Sequence, residues 1–139
     1  MSLCNPHNPA GRAWTQEELG ALNDVCERYG ILVISDDIHC DIRLSDRPHI
    51  VLSCISDDAA EKSFICTAPT KTFNLAEVPS ATISVANKKR RNELLVAMLF
   101  QARASEIAPR NARDLMFWPL LLVAESRHEA WLLSHRNEP

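Results

Sequence analysis

Gly30-Ile31-Leu32-Val33-Ile34-Ser35-Asp36-Asp37 sets the architecture of this chain. Four apolar residues, mostly β-branched, follow a glycine and lead through Ser35 into two carboxylates. Such a run predicts a buried strand of a parallel sheet over 31–35. Immediately upstream, Thr15-Gln16-Glu17-Glu18 has the Thr-x-x-Glu form of a capping box and predicts a helix start. Leu19, Leu22, Cys26 and Tyr29 then recur at helical spacing and make one apolar stripe. Glu17, Glu18, Asn23, Asp24, Glu27 and Arg28 fall on the solvated face. Gly30 is placed to end the helix. A helix leading directly into a buried strand is half of an α/β unit.

Outward from this unit, residues 1–4 read as the tail of a strand. Asn5-Pro6-His7-Asn8-Pro9-Ala10-Gly11 is a rigid, irregular loop. It is either a plain turn or a loop that fixes Asn8 and nearby amides toward a ligand. Asp36, Asp37, His39 and Asp41 follow the strand directly, at the carboxyl end where open α/β sheets bind ligands. Solvated loop charges and a binding or catalytic carboxylate are both open readings. A zinc site on His39 and Cys40 lacks a second Cys pair or a His-x₃-His spacing.

Residues 44–62 read as loop and short helix, and 63–67 as a strand. Thr67-Ala68-Pro69-Thr70-Lys71-Thr72-Phe73-Asn74 then places one lysine among hydroxyls. Alone, that is a solvated loop lysine. A strand follows at 81–85, and Asn87 can cap a helix over 88–104. Leu94, Leu95, Met98 and Leu99 give that helix its apolar stripe. Lys88-Lys89-Arg90-Arg91 has a nuclear-localisation composition but reads as a solvated first turn, although its charge opposes the helix dipole. After Pro109 a second helical stretch is expected over 111–134, kinked or restarted at Pro119.

The 139 residues suit one domain, and 46% hydrophobic with 24% charged residues suits a globular chain. A net charge of −3 gives no general case for nucleic acid or an anionic membrane. No apolar run approaches the roughly 20 residues of a membrane helix, and the start does not read as a secretion signal. Cys4, Cys26, Cys40, Cys54 and Cys66 are widely spaced and form no Cys-x-x-Cys pair. That argues against a disulfide framework and for a reducing, cytoplasmic compartment. The apolar stretches 120–123 and 131–133 lack an obvious cover and predict oligomerisation or aggregation; a homodimer is the expected state of a folded chain.

Three pieces line up in order: Asn5-Pro6-His7-Asn8-Pro9-Ala10-Gly11, Ser35-Asp36-Asp37-Ile38-His39-Cys40-Asp41 and Thr70-Lys71-Thr72-Phe73-Asn74. Together they resemble the large domain of fold-type I pyridoxal-phosphate enzymes, the aminotransferase class I/II superfamily. The closer resemblance is to C–S lyases of the cystathionine β-lyase type. There the strand end reads Asp-Glu-Ile-His and the lysine loop Ser-Lys-Thr-Phe-Asn. The likeness covers about residues 2–90 and fades after about residue 100.

This resemblance implies a partial α/β domain with a three-layer α/β/α arrangement and a mostly parallel sheet. Residues 1–102 would be a partial cofactor-binding large domain, and 103–139 a diverged helical segment of it, with the small domain missing. The implied cofactor is pyridoxal 5'-phosphate. Lys71 would hold it covalently and, once released, act as the general base at the substrate α-carbon. Asp36 would hold the ring nitrogen protonated, and Asn8 would bond the ring hydroxyl, with His39 near the same oxygen. Thr70 would approach the phosphate. The implied reaction is cleavage of the Cβ–S bond of a cystathionine- or cysteine-like amino acid to pyruvate, ammonia and a thiol. The alternatives are a class I/II aminotransferase, or an inactive remnant that binds or dimerises. The chain departs from the family pattern at Ala10, Asp37, Ala68 and Glu77. The glycine-rich phosphate loop, the ring-stacking aromatic and the carboxylate-binding arginine are expected outside it.

Overall fold

A computed structural model of the protein describes residues 1–42, 48–75, 80–107 and 120–124. The element order is β1 (Ser2–Cys4), α1 (Gln16–Tyr29), β2 (Val33–Asp36), a 3-10 turn (Leu52–Cys54), α2 (Asp57–Lys62), β3 (Ser63–Thr67), α3 (Pro69–Thr72), β4 (Ser80–Ser84), α4 (Lys88–Ile107) and β5 (Leu120–Ala124). The strands form one sheet in the order β1-β2-β3-β4-β5. β1, β2 and β3 are parallel, β4 is antiparallel to β3, and β5 is parallel to β4. The chain is therefore an α/β domain with a mostly parallel sheet.

The α1 caps form as the residue types require. Thr15 accepts from the Glu18 N–H while the Glu18 carboxylate accepts from the Thr15 N–H, so two orphan donors are satisfied. Gly30 closes the helix in the left-handed region at φ 62°. The Ile31 N–H returns to the Cys26 carbonyl at 2.8 Å. That bond commits Ile31 to the helix end, so the strand begins at Val33 rather than Ile31.

Alternation along the strands sends Leu3, Val33 and Ile65 to one face. There they pack with Leu19 and Cys26 of α1 and with Val51 and Leu52. Burying a side chain of this size stabilises the fold by about 1.5–3 kcal/mol. Ile34 points the other way and is 52% exposed. The α1 stripe holds at Leu19 and Cys26, whereas Tyr29, in the last helical position, lies outside the core. Asn23, expected on the solvated face, is buried. Its amide donates to Ser56 Oγ at 3.2 Å, and the same hydroxyl caps α2 by accepting from the Ala59 N–H.

Asn87 caps α4, accepting from the Arg90 N–H at 3.0 Å. The basic first turn has a partner after all, because Arg91 donates to the Val85 carbonyl at 2.8 Å. The expected stripe on α4 is only half covered among the described residues: Leu94 and Met98 are half-buried, and Leu95 and Leu99 are exposed.

The helix expected over 111–134 is corrected at Leu120–Ala124, which is a strand beside β4. Unbroken apolar runs are compatible with either element, and here a free sheet edge decides. The rest of that stretch, including 131–133, lies outside the described residues, as does Glu77.

Candidate functional site

Each expected site residue lies at the carboxyl end of a strand. β1 runs into the loop holding Asn8, β2 ends at Asp36, and β3 leads into α3 with Thr70 and Lys71. Because these three strands are consecutive neighbours and parallel, the three loops emerge side by side on one sheet edge. Adjacent strands lie about 4.8 Å apart, so the loops fall within reach of one small molecule.

The first loop is shaped by backbone bonds. Both Asn-Pro peptides are cis. His7 and Arg12 pair across the loop, and Gly11, at φ 66°, returns its N–H to the His7 carbonyl at 2.8 Å. Asn5 fixes the loop to its surroundings. It is fully buried, donates to the Ile50 carbonyl at 2.9 Å and accepts from the Trp14 N–H at 3.1 Å. Its own N–H reaches the Asp36 carbonyl at 3.0 Å. Asn8 is left exposed at the tip, its N–H 3.5 Å from Cys4 Sγ.

Asp36 is half-buried, and its Oδ1 accepts from the Ile38 N–H at 3.3 Å, which turns the chain out of β2. In register across the sheet, Cys4, Asp36 and Cys66 form one row, so two sulfurs flank this carboxylate. Burial, reinforced by Asp36 and Asp37, pushes the Cys66 thiol up to about 11. It is therefore neutral near pH 7. Among the described residues, Asp36 makes no ion pair. His39 is half-buried in the following turn.

Pro69 occupies the first turn of α3, where its missing N–H costs nothing. Thr70 is half-buried and Lys71 exposed on this short helix, which ends as the Leu75 N–H meets the Thr70 carbonyl. Asn74 takes φ 52°, a value that asparagine tolerates better than most residues.

The structure thus brings Asn8, Asp36, His39, Thr70 and Lys71 to one edge. Among the described residues, the direct side-chain bond between the second and third loops joins other residues: Thr72 donates to the Asp41 carboxylate at 2.8 Å. In the sequence Asp41 stands in an acidic cluster, and nothing in its spacing points to Thr72. Asp37 belongs to the core rather than to the ligand edge. It is fully buried and bonds Ser35 and His49. Cys40 is buried too, and burial with the nearby Asp41 and Asp37 charges pushes its thiol up to about 12. A separate cavity of about 650 Å³, lined by Arg12, Trp14, Cys40 and His49 among others, includes none of the five expected site residues.

Comparison with known proteins bears on the family and the fold. The family model for aminotransferase class I and II matches residues 1–107. Cystathionine beta-lyase PatB of Bacillus subtilis is 43% identical over 89 residues, covering 64% of this chain and 23% of that protein. A pyridoxal-phosphate-bound protein of Clostridium difficile 630 superposes with a TM-score of 0.70 at 40% identity, over 73% of this chain and 26% of the other. Cystalysin of Treponema denticola, whose structure contains pyridoxal 5'-phosphate, gives 0.60 at 36% identity, over 63% of this chain and 22% of the other. The chain spans about a quarter of the length of the curated relatives it matches. It belongs to the aminotransferase class I and II family.

Proposed function

We propose that this chain carries the lysine-bearing part of the cofactor site of a pyridoxal-phosphate-dependent C–S β-lyase. The observation that carries the reading is the convergence of the Asn8, Asp36 and Lys71 loops on consecutive parallel strand ends. The likeness to PatB favours a lyase over other members of the family.

The residues present suit the cofactor. Lys71 offers an accessible amine for covalent attachment. Asp36 is a half-buried carboxylate with no ion-pair partner among the described residues, flanked in register by Cys4 and Cys66, and would pair with a protonated ring nitrogen. Asn8 has an exposed amide that would bond the ring hydroxyl, half-buried His39 would serve the same oxygen, and half-buried Thr70 would offer its hydroxyl to the phosphate.

When bound, the cofactor supplies an electron sink for the pair left at the substrate α-carbon. Asp36 keeps that sink effective by holding the ring nitrogen protonated. Lys71, the residue that would hold the cofactor, would take the α-proton onto Nζ. The Cβ–S bonding pair departs with sulfur, which takes a proton to give the thiol. Water then converts the remaining fragment to pyruvate and ammonia. The substrate is a cystathionine- or cysteine-like amino acid. The five free thiols suit a reducing, cytoplasmic setting. No described helix is long and apolar enough to cross a membrane. The apolar α4 surface suits a homodimer.

The test supplies pyridoxal phosphate and L-cystathionine, with no 2-oxo acid, and measures pyruvate and thiol together. The lyase reading expects both in equal amounts, abolished by Lys71→Ala. Turnover only after a 2-oxo acid is added would indicate an aminotransferase. No turnover under either condition would indicate a chain without activity of its own.

A further inference from the structure

We infer that Asp37 and His49 are a buried positioning pair that aims the Asp36–His39 turn at the cofactor edge. The pair's place in the fold carries this. Asp37 is fully buried and His49 nearly so, and His49 Nε2 lies 2.8 Å from Asp37 Oδ2. Ser35 Oγ donates to the other oxygen, Oδ1, at 2.5 Å. The Asp37 backbone is engaged as well: its N–H donates to the Cys66 carbonyl at 2.8 Å, and its carbonyl accepts from the Cys40 N–H at 2.9 Å.

One residue therefore ties together β2, β3, the turn at Cys40 and the segment carrying His49. A carboxylate placed in the core is tolerated only with such partners, because its desolvation is costly. Alternation along β2 places Asp36 on the opposite side from Asp37. Holding Asp37 from below thus fixes the peptide from which Asp36 projects outward, and the turn of Ile38 and His39 beyond it. With the Asp37 carboxylate as acceptor, His49 donates from Nε2, and its Nδ1 is buried with no hydrogen-bond partner among the described residues. An orphaned ring nitrogen has a desolvation cost that a hydrophobic residue of similar size would avoid. This favours a role in placement over one in stability alone.

The inference rests on the proposed cofactor role of Asp36, but its first readout needs no cofactor. Amide hydrogen exchange is compared in the wild-type chain, His49→Leu and His49→Gln, where the glutamine amide can replace the Nε2–H donor. Exchange at Ile38 and Cys40 should quicken at least tenfold in His49→Leu, return toward wild type in His49→Gln, and stay unchanged in α1. Uniform acceleration throughout the chain, or none at Ile38 and Cys40, would overturn the pair. If His49→Leu does not fold, Ser35→Ala serves instead, with the same local quickening expected and its absence counting against the pair.

The second readout adds ¹⁵N-labelled pyridoxal phosphate and records the ring-nitrogen resonance. His49→Leu should shift it from the protonated toward the neutral position, with His49→Gln restoring it. A bound cofactor with an unmoved resonance in His49→Leu overturns the positioning role. A wild-type chain that takes up no cofactor sinks the proposed function, and the exchange result then decides the pair.

Discussion

Replacing Asn5 by alanine should destabilise the chain by about 3 kcal/mol, although the residue touches no expected ligand. Its side chain makes two bonds from a fully buried position, donating to the Ile50 carbonyl and accepting from the Trp14 N–H. Alanine removes both and leaves an acceptor and a donor unpaired. Each unpaired group costs about 1–3 kcal/mol, so the pair brackets roughly 2–6 kcal/mol. A water entering the vacated space would recover part of this, which favours the lower half of the range. The bond from the Asn5 N–H to the Asp36 carbonyl belongs to the backbone and survives. Urea denaturation followed by far-UV circular dichroism measures the loss as a shift in midpoint at constant slope. Asn8→Ala is the internal control, since Asn8 is exposed and its substitution should change stability by less than about 0.5 kcal/mol. A loss below about 1 kcal/mol for Asn5→Ala, or equal losses for the two variants, would refute the reasoning.

Leu19 has no exposed surface, so Leu19→Ala should cost about 2–5 kcal/mol in the same titration. The Glu18 carboxyl is held below its usual 4.5, first by the Thr15 N–H and then by Arg12. A depressed carboxyl stabilises the fold above its usual value, and the gain is lost as pH falls through the folded value. Melting temperatures from pH 7 to 3 should therefore fall less steeply for Glu18→Gln than for wild type. Because burial pushes Cys40 up to about 12 and Cys66 up to about 11, both should resist alkylation at pH 8 in the folded chain and react after denaturation. Peptide mass spectrometry reads this directly, and rapid modification of either cysteine in the native chain would count against the described burial.

The parts of the fold legible in the sequence were those governed by local rules. The Thr15–Glu18 capping box and the Gly30 cap each depend on residues a few positions apart, and both form. The strand before Asp36 and the order of the three loops were also readable, because period and punctuation mark them. What escaped were pairings set by distant segments. Asn23 meets Ser56 across 33 positions, Thr72 meets Asp41 across 31, and Asn5 meets Ile50 across 45. In the sequence Asp37 forms one cluster with its acidic neighbours, yet strand alternation sends it into the core. The run at 120–123 differs from its expected helix for another reason: four consecutive apolar residues carry no period, and the open edge of β4 makes them a strand. For the candidate site, sequence supplied the residue types, and topology supplied their shared edge.

The central claim is that Lys71 is the covalent anchor of a cofactor whose ring nitrogen faces Asp36. It is tested most directly by adding pyridoxal phosphate to the chain, recording the visible spectrum, reducing with borohydride and mapping the modified peptide. The account predicts a visible band and a reduced adduct on Lys71, with both lost in Lys71→Ala and the band altered in Asp36→Ala. An adduct spread over Lys62, Lys88 and Lys89, or an unchanged band in Lys71→Ala, would contradict it.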